Sequence, residues 1–336
     1  MIKKGITKSH GIGWSFYKEK LSEKEVECYN LLLDGFMKYE QSIPYKNLEV
    51  KQIERIYEAL KFDVPQLFFV KRITCQHMPI LRCGWVVPQY RFSKVETYAT
   101  LDAIQCKIDE IQKNVAYKSK YEKEKFIHDY ICSSVKYDYT FKESSFECVG
   151  PILFGKGVCE GISKATKLLL DSVGIDSLIV HGASKNQQVH NLSDNSHAWN
   201  MVRIDNLNYH LDVTFDLSVM AHDVLRYDYF NLSNQDILID HIYEHTAYPS
   251  CITSRDYYVE HNMYMVNKNL FKSYLETRLK YGEKNILVKL PRVSDIDKAR
   301  DEIIDIVQKC ISKRRISVQY QVTYNESQRV FLLHID

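Results

Sequence analysis

Apolar positions in the first third of the chain recur mostly at helical spacing. Ser22 and Glu25 form a capping-box pattern, and the helix predicted after them carries apolar residues three or four positions apart as far as Phe36. The same spacing predicts a second helix around residues 50–60 and a third over residues 94–116.

Two short apolar runs lie between the second and third of these helices. Residues 67–70 and 84–87 read as strands, the second of them ended by Pro88. We therefore expect an N-terminal region over residues 1–117 that is rich in helix and carries short strands. No candidate site falls in this region, which predicts that it packs against the rest of the chain or restricts its cleft.

The middle of the chain, residues 118–245, mixes helical and strand periods. A capping box at Ser119 and Glu122 predicts a helix, and residues 137–158 then read as a loop. After Cys159, apolar residues again recur at helical spacing, which predicts a buried helix that begins at or beside this cysteine.

Strand patterns follow that helix. Residues 177–181 are predicted to form a buried strand, with residues 178–180 as its apolar run. Residues 183–196 are polar and turn-rich, which predicts an exposed loop, and alternation begins at His197. Residues 205–206, Asp-Asn, suit a two-residue hairpin turn, with residues 207–215 as the return strand.

The last part of the chain, residues 246–336, contains two different patterns of apolar positions. Residues 246–282 are tyrosine-rich and mostly helical in pattern, whereas the remainder reads as strand, helix, strand and strand, with Ser294 capping the helix. The sequence therefore predicts a helical segment followed by a small β-α-β-β domain.

Composition narrows the class of protein. The chain has 336 residues, 45% of them hydrophobic, which is enough for two or three domains with full cores. Its 45 basic and 43 acidic residues nearly balance, so neither a nucleic acid nor an anionic membrane is an expected partner.

Cysteine usage and the N-terminus bear on the compartment. The nine cysteines include no Cys-x-x-Cys pair, and no metal or cofactor pattern is visible. Residues 1–5 are basic but lack an apolar stretch after them, and no run approaches membrane-spanning length. We therefore expect a cytoplasmic protein, or an exported one if a leader has been removed.

Cys159 is the candidate nucleophile. Gly155 and Gly157 precede it and Gly161 follows, a setting in which the backbone can turn tightly and a ligand can approach closely. A helix N-terminus also favours the thiolate, which is the reactive form of cysteine. A small buried core cysteine is the alternative interpretation.

His197 and Asp212 are the candidate base and its orienting carboxylate. If Ile204 pairs with Leu207 across the hairpin, His197 lies opposite Thr214 and Asp212 is its diagonal neighbour on the same face. A nucleophile, a base and an orienting group form a triad. His181, His190 and His210 compete for the role of base, and His210 is the strongest competitor because it shares a face with Asp212.

Three segments together resemble the transglutaminase-like superfamily in its standalone bacterial form. They are residues 157–161, Gly-Val-Cys-Glu-Gly, residues 197–200, His-Ala-Trp-Asn, and residues 212–215, Asp-Val-Thr-Phe. The likeness extends over residues 118–245 and includes the dipeptide Asp240-His241. Two positions depart from the usual pattern, since Ile162 stands where an aromatic residue is common and Phe215 where tryptophan is usual.

This resemblance implies an α+β fold with a papain-like core, in which the helix bearing the cysteine packs on an antiparallel sheet. It assigns Cys159 as nucleophile, His197 as base and Asp212 as orienter. The oxyanion of such a site is held by the N–H of the cysteine and one upstream donor, for which Tyr137, Tyr139 and a backbone group are the candidates. No calcium loop is present, so the resemblance implies no metal.

The expected function is an amide-bond reaction through a thioester. Water as acceptor gives a protease or amidohydrolase acting on a protein or peptide substrate, whereas an amine gives a transglutaminase-like acyltransferase. One alternative is a degenerate relative that acts as an interaction or scaffold module. Another is acyl transfer to a small amine, as in arylamine acetyltransferases.

Overall fold

The computed structural model describes residues 13–185, 195–292, 296–313 and 319–335. The chain folds as an α+β protein, as the sequence predicts. The described residues form three antiparallel sheets and one short parallel pair, with helices packed against them.

The N-terminal region contains a three-stranded sheet in the order β1-β3-β2, with helices around it. Its elements are α1 (Glu23–Lys38), β1 (Ile43–Lys46), α2 (Val50–Asp63), β2 (Val70–Met78), β3 (Cys83–Tyr90) and α3 (Lys94–Val115). The three helices confirm the periodicity, and α1 begins with the expected capping box at Ser22.

The central region contains a five-stranded antiparallel sheet in the order β10-β6-β7-β8-β9. Its elements are α4 (Lys120–Ser134), β4 (Lys136–Tyr137), α5 (Val149–Phe154), β5 (Lys156–Gly157), α6 (Cys159–Ser172), β6 (Ser177–Ser184), β7 (Ser196–Ile204), β8 (Leu207–Leu211), α7 (Val213–Val219), β9 (Phe230–Leu232), α8 (Asn234–Ile237) and β10 (His241–Ile242). Most of the polar segment predicted between β6 and β7 lies outside the described residues.

The C-terminal part has the predicted β-α-β-β order, folded as a sheet β11-β13-β12 with a helix. Its elements are α9 (Tyr257–Glu260), α10 (Lys268–Lys280), β11 (Asn285–Lys289), α11 (Ile296–Ser312), β12 (Tyr320–Asn325) and β13 (Val330–Ile335). The predicted cap Ser294 lies outside the described residues. Among the helices described, none combines the length and the apolar character needed to cross a membrane.

The strand predictions near Pro88 were wrong in detail. The apolar run at 67–70 is a buried turn that enters β2 only at Val70, and β3 continues through Pro88 to Tyr90. Because β1 pairs only with residues 83–86 of β3, Pro88 lies beyond the end of β1. Its missing N–H therefore breaks no hydrogen bond to β1.

Two long segments were also mispredicted. Residues 137–158 are not a loop, since they contain α5, a short 3₁₀ turn and the pairing of β4 with β5. Residues 246–282 are less helical than their pattern indicates, because only α9 and α10 form there. Tyr257, Tyr258 and Tyr274 lie in these two helices, whereas Tyr248, Tyr264 and Tyr281 lie in irregular backbone, where periodicity carries no information.

Helix α6 is the buried centre of the molecule. Ten consecutive residues of it, 161–170, are buried, and they include Lys164 and Lys167. The Lys164 ammonium lies 2.8 Å from Glu147 and 2.7 Å from Glu160, and that of Lys167 lies 2.9 Å from Asp171. These partners supply the charge that a buried lysine needs.

The hydrophobic clusters do not follow the predicted boundaries one for one. Leu32 and Ile53 of the N-terminal region share a cluster with Leu169 of α6, whereas α10, α11 and β13 pack in a separate cluster. The division into 1–117, 118–245 and 246–336 stays a prediction. The C-terminal cluster begins only at Met265, and Tyr258 of α9 packs in the same cluster as Leu32 and Leu169.

Glu124 in α4 gives a stability prediction that is independent of function. Its carboxyl group is fully buried and accepts a hydrogen bond of 2.9 Å from the Asn231 amide. Burial raises the pKa of Glu124 to about 8. The neutral form is therefore favoured in the folded state, so the stabilising contribution is complete below the unfolded pKa and is lost as the pH rises through about 8.

The free energy of unfolding of the wild-type protein should fall between pH 6 and pH 8 as Glu124 ionises. We expect this fall to be smaller in Glu124→Gln by on the order of 2 kcal/mol. Glutamine keeps an acceptor for Asn231 and cannot ionise. Thermal unfolding of both proteins across this pH range measures the difference. Parallel curves for the two proteins would contradict the prediction.

Candidate active site

Cys159 is the first residue of α6, directly after the cap residue Val158. Its side chain is buried, with 7% of the residue exposed. Gly161 allows this placement, because a Cβ built there would lie 2.1 Å from the carbonyl oxygen of Ser145. The thiol therefore lies at the positive end of a helix dipole.

Strand β7 carries His197 beside this helix. Ser163 of α6 donates to the carbonyl of Ala198 at 2.9 Å, and the Asn200 amide donates back to the carbonyl of Ser163 at 3.0 Å. These two bonds fix α6 against β7, so the cysteine and the histidine are held on facing elements.

The hairpin that follows confirms the predicted register but ends earlier than predicted. Ile204 pairs with Leu207, and the turn residues Asp205 and Asn206 both have positive φ, as a tight hairpin turn requires. The return strand stops at Leu211, however, and the predicted strand over 207–215 was wrong beyond that point.

The reason is that Asp212 caps a helix. Its Oδ1 accepts the backbone N–H of Phe215 at 3.0 Å, which starts α7 and takes Thr214 out of the sheet. The other carboxylate oxygen still meets the histidine, since Nε2–H of His197 donates to Oδ2 of Asp212 at 2.6 Å. Asp212 thus reaches His197 from a helix N-terminus and not as a diagonal strand neighbour.

The surroundings of His197 and Asp212 favour an ion pair between the imidazolium and the carboxylate. Burial opposes the imidazolium, but the Asp212 carboxylate and the adjacent Cys159 thiol, each hydrogen-bonded to the ring, raise the pKa of His197 to about 10. Burial opposes ionisation of Asp212 too, yet His197 and His241 hold the pKa of this carboxyl group well below its usual range.

Tyr137 lies on the other side of the cysteine. Parallel pairing of β4 with β5 sets Tyr137 opposite Gly157, two residues before Cys159. Burial and the Cys159 thiol raise the pKa of the Tyr137 phenol, whereas the backbone N–H of Cys159, which hydrogen-bonds to it, lowers that pKa. Tyr139 is 64% exposed, and its ring lies 5.0 Å from that of Tyr137.

The competing histidines have other environments. The indole N–H of Trp199 donates to Nδ1 of His210 at 3.0 Å, and burial lowers the pKa of His210 to about 3. His181 packs against Phe62, and burial lowers its pKa to about 4. His190 lies outside the described residues.

A second histidine contacts Asp212, and the sequence assigned it no role. Nε2 of His241 lies 2.9 Å from Oδ2 of Asp212, and its Nδ1 lies 2.7 Å from Oδ1 of Asp240. The Tyr229 hydroxyl donates to the other oxygen of Asp240 at 2.6 Å. The dipeptide Asp240-His241 was visible as part of the resemblance, but nothing local in it indicates a contact with Asp212.

Metal-type donors also meet at this point. Atoms of His197, Asp212 and His241 lie within 4.8 Å of one another, all buried. Nε2 of His197 and Nε2 of His241 are each hydrogen-bonded to Oδ2 of Asp212. These bonds account for the cluster as a hydrogen-bonded network.

A cysteine at a helix start, beside a histidine on an antiparallel sheet and an aspartate at the start of a second helix, is the arrangement of a papain-like α+β fold. Residues 109–213 match the family model of the transglutaminase-like superfamily. The match includes Cys159, His197 and Asp212 and ends one residue after Asp212. No curated protein matches the chain.

Two solved structures are similar to part of the chain. One is a TGase, with 14% identity and a TM-score of 0.31 over 55% of this chain and 53% of that one. The other is a proposed cysteine protease from Cytophaga hutchinsonii, with 15% identity and a TM-score of 0.26 over 43% of this chain and 61% of that one. The chain therefore spans less than two thirds of either protein.

Proposed function

We propose that this protein is a cysteine-dependent enzyme that acts on amide bonds of a protein or peptide through a thioester. Cys159 is the nucleophile, His197 the general acid and base, and Asp212 the group that orients the imidazole. The observation that carries this proposal is the position of His197, whose Nε2–H donates to Asp212 at 2.6 Å while the ring also contacts the Cys159 thiol.

The proposed reaction follows from these charges. The Cys159 thiolate attacks the amide carbonyl, and the oxyanion formed there accepts the backbone N–H of Cys159. The His197 imidazolium gives its proton to the leaving amine, which departs as the C–N bond breaks and leaves a thioester. Water or a second amine then attacks the thioester, and His197 takes the proton of the attacking group. The C–S bond breaks, and the Cys159 thiolate departs beside the imidazolium with which the cycle began.

We infer hydrolysis as the principal outcome. The triad chemistry is identical for water and for an amine up to the thioester, and amine transfer additionally requires that water be kept away. Incubation of a peptide library with the protein in the presence of a primary amine distinguishes the two products by mass. The Cys159→Ala protein is the control, and an excess of amine-coupled peptide would overturn the preference for hydrolysis.

Alkylation with iodoacetamide tests the nucleophile without a known substrate. The matched competitor is Cys106, the exposed cysteine among the described residues, while burial raises the pKa of Cys28 and of Cys251 to about 12. An ordinary thiol of pKa about 8.5 is less than about 1% thiolate at pH 6. We therefore expect Cys159 to react at least about tenfold faster than Cys106 at pH 6.

Site-resolved mass spectrometry after short exposure measures both rates in one sample. Denatured protein is the control, in which the nine cysteines should react alike. Equal rates for Cys159 and Cys106 in the folded protein would refute the activated thiolate, and with it the proposed enzyme.

Tyr137 is the proposed side-chain donor to the oxyanion. Its hydroxyl lies at the backbone N–H of Cys159, which is where the oxyanion of an attacked carbonyl forms. We expect Tyr137→Phe to slow acylation of Cys159 by p-nitrophenyl acetate by about tenfold to a hundredfold. Alkylation by iodoacetamide forms no oxyanion and should change by less than about twofold.

Tyr139→Phe is the control for this variant, since that side chain is mostly exposed. Release of p-nitrophenol gives the acylation rate, and mass spectrometry gives the alkylation rate. An equal loss in both reactions would show that Tyr137 supports the fold of the site and does not serve the oxyanion.

A further inference from the structure

The Asp212 carboxylate accepts hydrogen bonds from two imidazoles through one oxygen. His197 contributes Nε2–H at 2.6 Å and His241 contributes Nε2–H at 2.9 Å, both to Oδ2, while Oδ1 accepts the Phe215 N–H. Three donors therefore fix this carboxylate. Only the His197 bond belongs to the proposed triad, so the His241 bond needs its own explanation.

His241 is itself held in a defined orientation. Its second nitrogen faces Asp240 at 2.7 Å, and the Tyr229 hydroxyl holds Asp240 at 2.6 Å. Both His241 and Asp240 are buried. The result is a chain of hydrogen bonds that runs from Tyr229 through Asp240 and His241 to Asp212.

The surroundings of His241 restrict its ring further. Its centroid lies 4.4 Å from that of Phe215 and 4.9 Å from that of Trp199, and β10 pairs it with Ser184 of β6. A ring packed in this way has little freedom to turn. Its Nε2 can therefore define where Oδ2 of Asp212 lies.

We propose that His241 is a positioning residue for the triad, which holds the Asp212 carboxylate in place for His197 through its Nε2–H. This inference rests on the proposed function of Cys159, His197 and Asp212. Asp240 and Tyr229 in turn orient the His241 ring. The base His197 is therefore supported, through Asp212, by a second histidine 44 positions further along the chain.

Two amide variants at position 241 distinguish the effect of the hydrogen bond to Asp212 from the effect of simply filling the space of the ring. Glutamine at 241 places an amide N–H near the position of Nε2, whereas asparagine reaches Asp240 but is too short to reach Asp212. We expect His241→Asn to slow the alkylation of Cys159 at pH 7 by about tenfold or more, because a hydrogen bond to a charged group carries about that factor. We expect His241→Gln to stay within about threefold of the wild-type rate.

His210→Gln is the matched control. His210 is buried in the same sheet and bonds to Trp199 and Tyr243 but not to Asp212, so its replacement should leave the rate of alkylation nearly unchanged. The His197 Nε2–H proton resonance gives a second measurement that does not depend on any reaction. It should keep its downfield position in His241→Gln and lose it in His241→Asn.

The outcomes distinguish this inference from the proposed function. If Cys159 of the wild-type protein reacts no faster than Cys106, the proposed function fails. If the wild-type cysteine is fast and His241→Asn keeps both the rate and the His197 resonance, only the role of His241 is overturned. If His241→Gln loses as much as His241→Asn while His210→Gln loses nothing, the hydrogen bond is not the cause and the inference is likewise wrong.

Discussion

Replacing His197 with glutamine should slow the alkylation of Cys159 at pH 6 by about a hundredfold, because the thiol then behaves as an ordinary one with a thiolate fraction below about 1%. The wild-type ring is expected to be charged at this pH, since Asp212 and Cys159, despite the opposing effect of burial, raise its pKa to about 10. Alkylation quenched after a series of reaction times, followed by site-resolved mass spectrometry, measures the rate at Cys159.

The two proteins should also differ in how the alkylation rate of Cys159 depends on pH. In the wild-type protein, the imidazolium and its influence on the thiolate persist as the pH falls and disappear only as the pH rises through about 10. The His197→Gln protein should instead react slowly at pH 6 and gain reactivity as the pH rises through the ordinary thiol range near about 8.5. A variant that stays fast at pH 6 would remove His197 from the proposed mechanism.

His181→Gln is the matched control for this experiment. His181 lies on β6 and pairs with Ala198, the residue after His197, and burial lowers its pKa to about 4. It is therefore neutral at pH 6 and has no charge to lend to the thiol. Its replacement should leave the alkylation profile of Cys159 unchanged.

Replacing Asp212 with asparagine should slow alkylation of Cys159 at pH 7 by about tenfold to a hundredfold, because the imidazolium loses its carboxylate. Burial then acts on His197 with only Cys159 to oppose it, so the pKa of His197 should fall and the imidazolium should be lost at a lower pH. Asparagine is a good helix cap, so α7 should lose little stability in this variant. The alkylation profile and the thermal unfolding midpoint are the two measurements.

Asp212→Ala separates the two tasks of this residue. It removes the cap of α7 as well as the carboxylate, and we expect about 1 kcal/mol of additional destabilisation. Asn267→Ala is the control, because Asn267 caps α10 in the same manner but belongs to the C-terminal part. It should lower the unfolding midpoint without any effect on Cys159, and wild-type alkylation in both Asp212 variants would contradict the assigned role.

Several features of the site follow from residues that are close together in the sequence. The start of α6 at Cys159 is indicated by the helical spacing after it, and the pairing of Ile204 with Leu207 follows from a turn whose two residues adopt positive φ. In both places, the local pattern and the local backbone agree. These are the features that a single sequence predicts well.

Other features depend on how distant segments meet. The end of β8 at Leu211 reflects the N-cap bond of Asp212, and strand and cap are equally compatible with the alternation of the sequence. The approach of Tyr137 to Cys159 depends on a two-residue parallel pairing that no periodicity can reveal. For the same reason, the sequence did not discriminate Tyr137 from Tyr139.

The sequence by itself determined the helix that opens at Cys159 and the hairpin that carries His197, because spacing and turn chemistry are local. It also indicated the class of fold, through the resemblance of three short segments to a known superfamily. Only the tertiary structure decided that Asp212 meets His197 from a helix cap and that His241 shares the same carboxylate oxygen. Those contacts join strands and helices far apart in the chain, and their geometry is set by the packing of α6 and the five-stranded sheet, which no local pattern encodes.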